Sequence, residues 1–199
     1  MPAPSSIRLL AARLPALRVL PPRVAAFHAR ALVRAMRADD AFALQSATRA
    51  ADVALLLELA RGRRYVVELG TAVGWTTAAF ALDDPSRSVL SFDPVVQPHR
   101  DAYLALLPAR ARERIELVQR PGVEGAELAT GPVDLLFIDS THERDDTIAE
   151  VRAWRPRLRP GALVVFHDYD NPAFPGVREA VEALDLSGTA RGGSFVWSV

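Results

Sequence analysis

Four short stretches concentrate residues able to do chemistry: ELGTAVG (68–74), SFD ending at Asp93, FIDSTH (137–142) and FHDY (166–169). The first places a carboxylate, Glu68, two residues before Gly70. A glycine-rich turn after a strand ordinarily cradles phosphate on backbone N–H groups. Neither phosphate template fits this one. The dinucleotide fingerprint needs its last two small residues three apart, whereas Ala72 and Gly74 are two apart. A P-loop needs a lysine after its glycine, and the chain has no lysine. Glu68 would repel a pyrophosphate and favour a cationic ligand, and the glycines would let that ligand approach the backbone closely. His142 and His167 are candidate bases, because imidazole titrates near working pH. Either could equally be held in a structural hydrogen bond. Asp139 and Asp168 could bind a divalent cation together.

Such residues act together only if the fold gathers them. From Tyr65 onward short apolar runs alternate with helical stretches. The runs are 65–70, 88–93, 114–119, 133–139, 162–168 and 194–199, with helices predicted near 74–82, 97–111, 121–129, 143–158 and 175–184. That alternation predicts an α/β protein, a mostly parallel sheet with helices on both faces. Asp93, Asp139 and Asp168 each close a run, and ligands of open α/β sheets bind outside the carboxyl ends of the strands. Before Tyr65 the sequence reads as an irregular lead-in over 1–22, a helix over 23–37 with Arg on one side, and a helix over about 40–61. Asp39 or Asp40 would cap that last helix and Gly62 would end it.

With these residues in place, E-x-G-x-x-x-G after a strand resembles the first motif of class I S-adenosylmethionine (SAM)-dependent methyltransferases. The resemblance implies a three-layer αβα Rossmann-like sandwich with a seven-stranded, mostly parallel sheet in the order 3-2-1-4-5-7-6. It implies a methyltransferase domain over 63–199, preceded by an N-terminal helical extension over 1–62. Glu68, Gly70, Thr71 and Gly74 would face the methionine end of the cofactor, Asp93 would accept hydrogen bonds from the ribose hydroxyls, and Asp139 would contribute from the next strand. No adenine contact can be assigned around Gln119–Gly122, where the family often has an acid or another polar residue.

Residues 133–169 resemble the small-molecule O-methyltransferase branch of that superfamily, methyltransferase family 24. There the fourth strand ends in Asp with a His or Lys three residues on, as in Asp139 and His142. L-x-P-G-G then precedes the fifth strand; Leu158, Pro160 and Gly161 match, and Ala162 replaces the second glycine. The activity implied is methyl transfer from SAM to a small acceptor, at a hydroxyl oxygen. The donor is already activated, so the protein must hold donor and acceptor in line and remove a proton. His142, His167 and Asp139 are the catalytic candidates. Metal-dependent relatives carry Asp followed by Asp or Asn at the fifth strand, where this chain has His167 and Asp168. Imidazole suits Zn, Fe or Ni better than Mg²⁺, which counts against Mg²⁺ at Asp139 and Asp168. A nicotinamide-dependent oxidoreductase and a non-catalytic scaffold on the same fold remain alternatives. In this fold acceptor specificity usually rests on the N-terminal extension and on the loops after strands four and five.

Composition narrows the partners. All 24 basic residues are Arg, and Arg8, Arg13, Arg18, Arg23, Arg30, Arg34 and Arg37 precede the first acid, Asp39. The other 17 Arg face 24 acids, a balance of −7, so no nucleic acid is expected as a partner. The basic N-terminus reads as a targeting segment, a contact for anionic lipid or an acidic partner, or a polar helix packed on the acidic body. No apolar run reaches the length of a transmembrane helix. The lack of cysteine excludes disulfides and thiolate chemistry and fits a cytoplasmic location. The N-terminal helices and the last strand could pair subunits into a homodimer. Trp75, Trp154 and Trp197 read as packing residues.

Overall fold

The computed structural model describes residues 13–199; Arg8 and the first part of the lead-in lie outside the described residues. The described part of the lead-in is helical, with a short turn over 13–16 and a 3₁₀ turn over Leu17–Val19. The turns form because Leu17 and Leu20 bury against the core.

Three helices follow. Helix α1 (Pro22–Arg37) opens with proline at its first position, where no intrahelical donor is lost. It buries Val24, Phe27, His28, Ala31, Leu32 and Ala35, one stripe at helical spacing. The single helix expected over 40–61 is two: α2 (Ala41–Ser46), capped by Asp40 accepting from the Ala43 N–H at 2.9 Å, and α3 (Ala50–Leu59). The extended backbone at Ala47 and Arg49 makes the break.

The sheet comprises β1 (Tyr65–Leu69), β2 (Ser88–Phe92), β3 (Ile115–Val118), β4 (Val133–Ile138), β5 (Leu158–Phe166), β6 (Gly188–Arg191) and β7 (Ser194–Ser198). Its order is β3-β2-β1-β4-β5-β7-β6, the seven-stranded arrangement implied by the resemblance. Strands β1 to β5 run parallel, and β7 is antiparallel to both β5 and β6. The remaining helices are α4 (Trp75–Asp83), α5 (Arg100–Leu104), α6 (Ala109–Arg112), α7 (Arg144–Trp154) and α8 (Pro175–Ala183). The helix expected over 97–111 divides into α5 and α6 at Pro108, and the one over 121–129 is two 3₁₀ turns.

Strand alternation divides the core between the two faces. Val66, Val89, Leu135, Phe137 and Val165 pack with α1, α3 and α4. Val67, Leu69, Leu90, Phe92, Leu136, Ile138, Val164 and Phe166 pack with α7 and α8. The N-terminal helices therefore share a core with the sheet. Arg87, fully buried, ties them to it: it donates to the carbonyls of Phe80, Ala60 and Arg63 at 2.9, 2.8 and 3.1 Å. All three tryptophans are buried. Among the described residues no helix is long and apolar enough to cross a membrane. The carboxyl ends of β1, β2, β4 and β5 meet at one edge of the sheet, where the strand order reverses between β1 and β4.

Candidate active site

A cavity of about 1100 Å³ opens at that edge. Ligand cavities usually fall at roughly 300–1,000 Å³, so there is room for a cofactor and an acceptor together. The turn after β1 forms one wall. Gly70 has φ +104°, and a Cβ there would lie 2.0 Å from the Asp139 carbonyl oxygen. Only glycine allows that approach, and it packs the end of β1 against the end of β4. The turn hangs on the end of β2 through Gly70 and Thr71 N–H bonds to the Phe92 carbonyl, 2.8 and 3.1 Å. Ala72 and Gly74 take left-handed conformations, and Gly74 caps α4.

Glu68 lies beneath the turn, outside the cavity lining. Thr77 and Ser91 both donate hydroxyl hydrogen bonds to its Oε2, the second at 2.6 Å. Burial pushes its carboxyl up to about 8, against the pull of those two bonds. The expectation of a carboxylate at the mouth of the turn is thus corrected: Glu68 is buried beneath it, where burial favours the neutral carboxyl. Thr71 is also buried, its hydroxyl 2.6 Å from Ser91, and Gly74 faces Leu104. Of the residues expected to touch the cofactor, Gly70, Asp93 and Asp139 line the cavity; Glu68, Thr71 and Gly74 do not.

Asp93 extends from the end of β2 into the cavity wall. Its Oδ2 accepts from the Ala72 N–H at 2.7 Å and its Oδ1 from the Val95 N–H at 2.8 Å. The carboxylate is therefore fixed to the glycine turn, and each oxygen keeps lone pairs for a ligand hydroxyl.

Across the switch point Asp139, His142, His167 and Asp168 converge, with one ligand atom of each within 4.8 Å of the others. Asp139 Oδ1 stands 3.1 Å from His142 Nε2 and 3.0 Å from His167 Nδ1. Asp168 Oδ2 stands 3.4 and 3.3 Å from the same two nitrogens. His142 and Asp168 hold left-handed backbone, φ +62° and +56°, a strain that non-glycine residues keep mostly at functional sites. His142 stacks on Phe174, ring centroids 4.3 Å apart. Gly176 lets α8 seat against this loop, since a Cβ there would come 2.6 Å from the His142 carbonyl.

Burial pulls both imidazoles down, but the carboxylates outweigh it. Asp139 and Asp168 hold His142 up at about 9, and with Asp52 they push His167 up to about 12. Burial raises Asp139, yet the two histidines bring it below its ordinary value; they do the same more strongly to Asp168. In this arrangement the two carboxylates hold both imidazoles in the protonated form, a pull that a cation on the carboxylates would oppose. The same set fits a cation. Two donors on one ion about 2.1 Å away are roughly 3.0–3.4 Å apart in octahedral or tetrahedral geometry, the spacing seen here.

Several lining residues carry no local signal of their role. Thr48 and Arg49, from the break between α2 and α3, and Asp52, on α3, form the wall on the side of His167. Glu150, on α7, faces the cavity beyond Ser140, whose hydroxyl donates to it at 2.8 Å; burial raises its carboxyl to about 7. Gly122, after β3, accepts from Trp154 Nε1 at 2.8 Å.

The family model described as a methyltransferase domain matches residues 67–169. Catechol O-methyltransferase of Mycobacterium tuberculosis is 32% identical over 142 residues, 68% of this chain and 63% of that protein. The chain thus spans less than two thirds of that relative's length. Among solved structures, the O-methyltransferase of Bacillus cereus in complex with SAH has a TM-score of 0.70 at 19% identity, covering 95% of this chain and 96% of that one. An O-methyltransferase of Streptomyces achromogenes involved in tomaymycin synthesis, in complex with SAM, has a TM-score of 0.65 at 24% identity, covering 85% and 88%. Both structures share the fold.

Proposed function

The chain belongs to the methyltransferase-domain family, and from that premise we propose that it transfers the methyl group of SAM to a hydroxyl oxygen of a small molecule. One observation carries the reading: a single cavity holds Asp93 on the glycine turn at one part and the Asp139–His142–His167–Asp168 cluster at another. The relative named for catechol O-methylation supports a hydroxyl acceptor.

Asp93 accepts the two ribose hydroxyls, its orientation already set by Ala72 and Val95. Gly70 and Ala72 offer close backbone contact to the methionine end. Glu68, Thr71 and Gly74 act indirectly, by shaping the turn. The charge that favours a sulfonium donor comes from the lining acids, among them Asp93 and Asp139. The acceptor oxygen attacks the methyl carbon in line; the C–O bond forms as the C–S bond breaks, and the electron pair leaves on sulfur. His142, stacked on Phe174, is placed to receive the acceptor's proton on a neutral imidazole, which a cation held by Asp139 and Asp168 would favour by opposing the pull of those carboxylates. Asp139, His167 and Asp168 would hold a divalent cation. Such a cation, when bound, lowers the hydroxyl's pKa and orients it.

In this reading 63–199 is the catalytic domain, and the helices of 1–62 supply part of the acceptor wall. We place the protein in the cytoplasm as a homodimer paired through the N-terminal helices, since β7 lies between β5 and β6 and has no free edge for a second subunit. Sedimentation should give twice the chain mass, and a single chain mass would contradict this. The activity test is SAH release from SAM with a panel of small hydroxyl compounds. Turnover with a catechol or similar acceptor is expected, abolished or reduced at least about 100-fold in His142→Ala. SAM binding without turnover on any acceptor would contradict oxygen transfer.

A further inference from the structure

Asp52 is a buried acid far from His167 in sequence and next to it in space. It sits on α3 between Ala51 and Val53, on a helix that otherwise packs leucines. Arg49 clasps it from the cavity mouth, Nε to Oδ2 at 2.7 Å and Nη2 to Oδ1 at 3.2 Å. The same Oδ2 faces His167 Nε2 at 3.7 Å. The opposite ring nitrogen, Nδ1, faces Asp139 and Asp168 at 3.0 and 3.3 Å. The imidazole is therefore strung between one outer carboxylate and two inner ones.

Burying a carboxylate is costly, and a small apolar residue would pack in α3 without that cost. What the acid supplies is direction. A carboxylate behind one ring nitrogen keeps the proton there and turns the other nitrogen's lone pair inward, the arrangement that orients metal-binding histidines. We infer that Asp52, held by Arg49, is a positioning residue that presents Nδ1 of His167 as a metal ligand beside Asp139 and Asp168. The site then takes an imidazole-binding divalent transition cation in preference to Mg²⁺. The inference rests on the methyl-transfer reading only in placing the cation at the acceptor end of the cavity. The N-terminal helices become part of the metal centre, although they contribute no ligand.

The test uses the full chain, stripped with chelator and titrated with Co²⁺, reading visible d–d absorption, with Mg²⁺ as competitor. A saturable spectrum that millimolar Mg²⁺ does not displace is expected. Asp52→Asn should weaken Co²⁺ binding about 10- to 100-fold, as removal of an outer-shell partner does. Arg49→Gln should weaken it less, in the same direction, and serves where Asp52→Asn does not fold. In a His167→Ala background Asp52→Asn should change affinity by less than about twofold, because its target is gone. Equal affinity in wild type and Asp52→Asn would overturn the inference. So would an equal loss with and without His167, Mg²⁺ displacing Co²⁺, or the absence of any Co²⁺ spectrum. A SAM titration of the same samples separates the two readings. SAM binding without a Co²⁺ spectrum contradicts the metal centre alone; a Co²⁺ spectrum without SAM binding contradicts methyl transfer alone.

Discussion

Glu68 is buried beneath the glycine turn, where its carboxyl couples folding to pH. The spacing E-L-G identified the turn correctly, but the carboxylate is enclosed by Thr77 and Ser91 beneath it. Burial raises its pKa from an ordinary 4.5 to about 8. The native state therefore holds a proton that the unfolded chain releases between those values. The resulting stability is fully present below about pH 4.5 and is lost as pH rises through about 8. Glu68→Gln keeps an acceptor for both hydroxyls and removes the titration. Its melting temperature should fall less than the wild type's between pH 5 and pH 9 on the order-of-magnitude scale of one buried group, as calorimetry would show. Parallel curves would mean that Glu68 stays charged. Asp93, Asp139, His142, His167 and Asp168 were legible because each ends a strand or follows one closely. Asp52 was not: one acid in a helix carries no local mark of a partner on another strand.

At the scale of elements, five parallel strands and β7 stood out because each carries a short apolar run, buried in β1, β2 and β4 and only partly so in the edge strand β3. Strand β6 did not, since GTAR is exposed along its length and pairs only with β7. The break between α2 and α3 lacks a proline or glycine to announce it, yet it turns Thr48 and Arg49 to the cavity. The tight turns after β3 follow from close packing. A Cβ on Gly125 would come 2.2 Å from the Phe92 ring, and one on Gly122 would come 2.8 Å from Leu69. Arg87 is the clamp between α3, α4 and β1. Arg87→Met would leave the carbonyls of Phe80 and Arg63 without this donor, leave Ala60 only the Arg63 N–H, and strip Asp83 of its cation. Chemical denaturation should show a loss of about 2–5 kcal/mol, the range for breaking a buried charged network. A loss under about 1 kcal/mol would indicate that water replaces the guanidinium.

For the whole molecule, the sheet brings the carboxyl ends of four strands to one edge, and the N-terminal helices close that edge from the side. The overall architecture follows from alternation and strand-end acids, which is why it could be read before the structure. The junction of residues 42–52 with 139–171 could not be read, because it joins chain segments with no shared pattern. The central claim is that the cavity is a SAM site built on the glycine turn and Asp93. Isothermal titration of the folded full chain with SAM tests it most directly. The wild type should bind one SAM per chain, and Asp93→Ala, losing a charged acceptor of two hydroxyls, should bind about 10- to 100-fold more weakly. No binding at millimolar SAM, or Asp93→Ala binding as the wild type does, would contradict it.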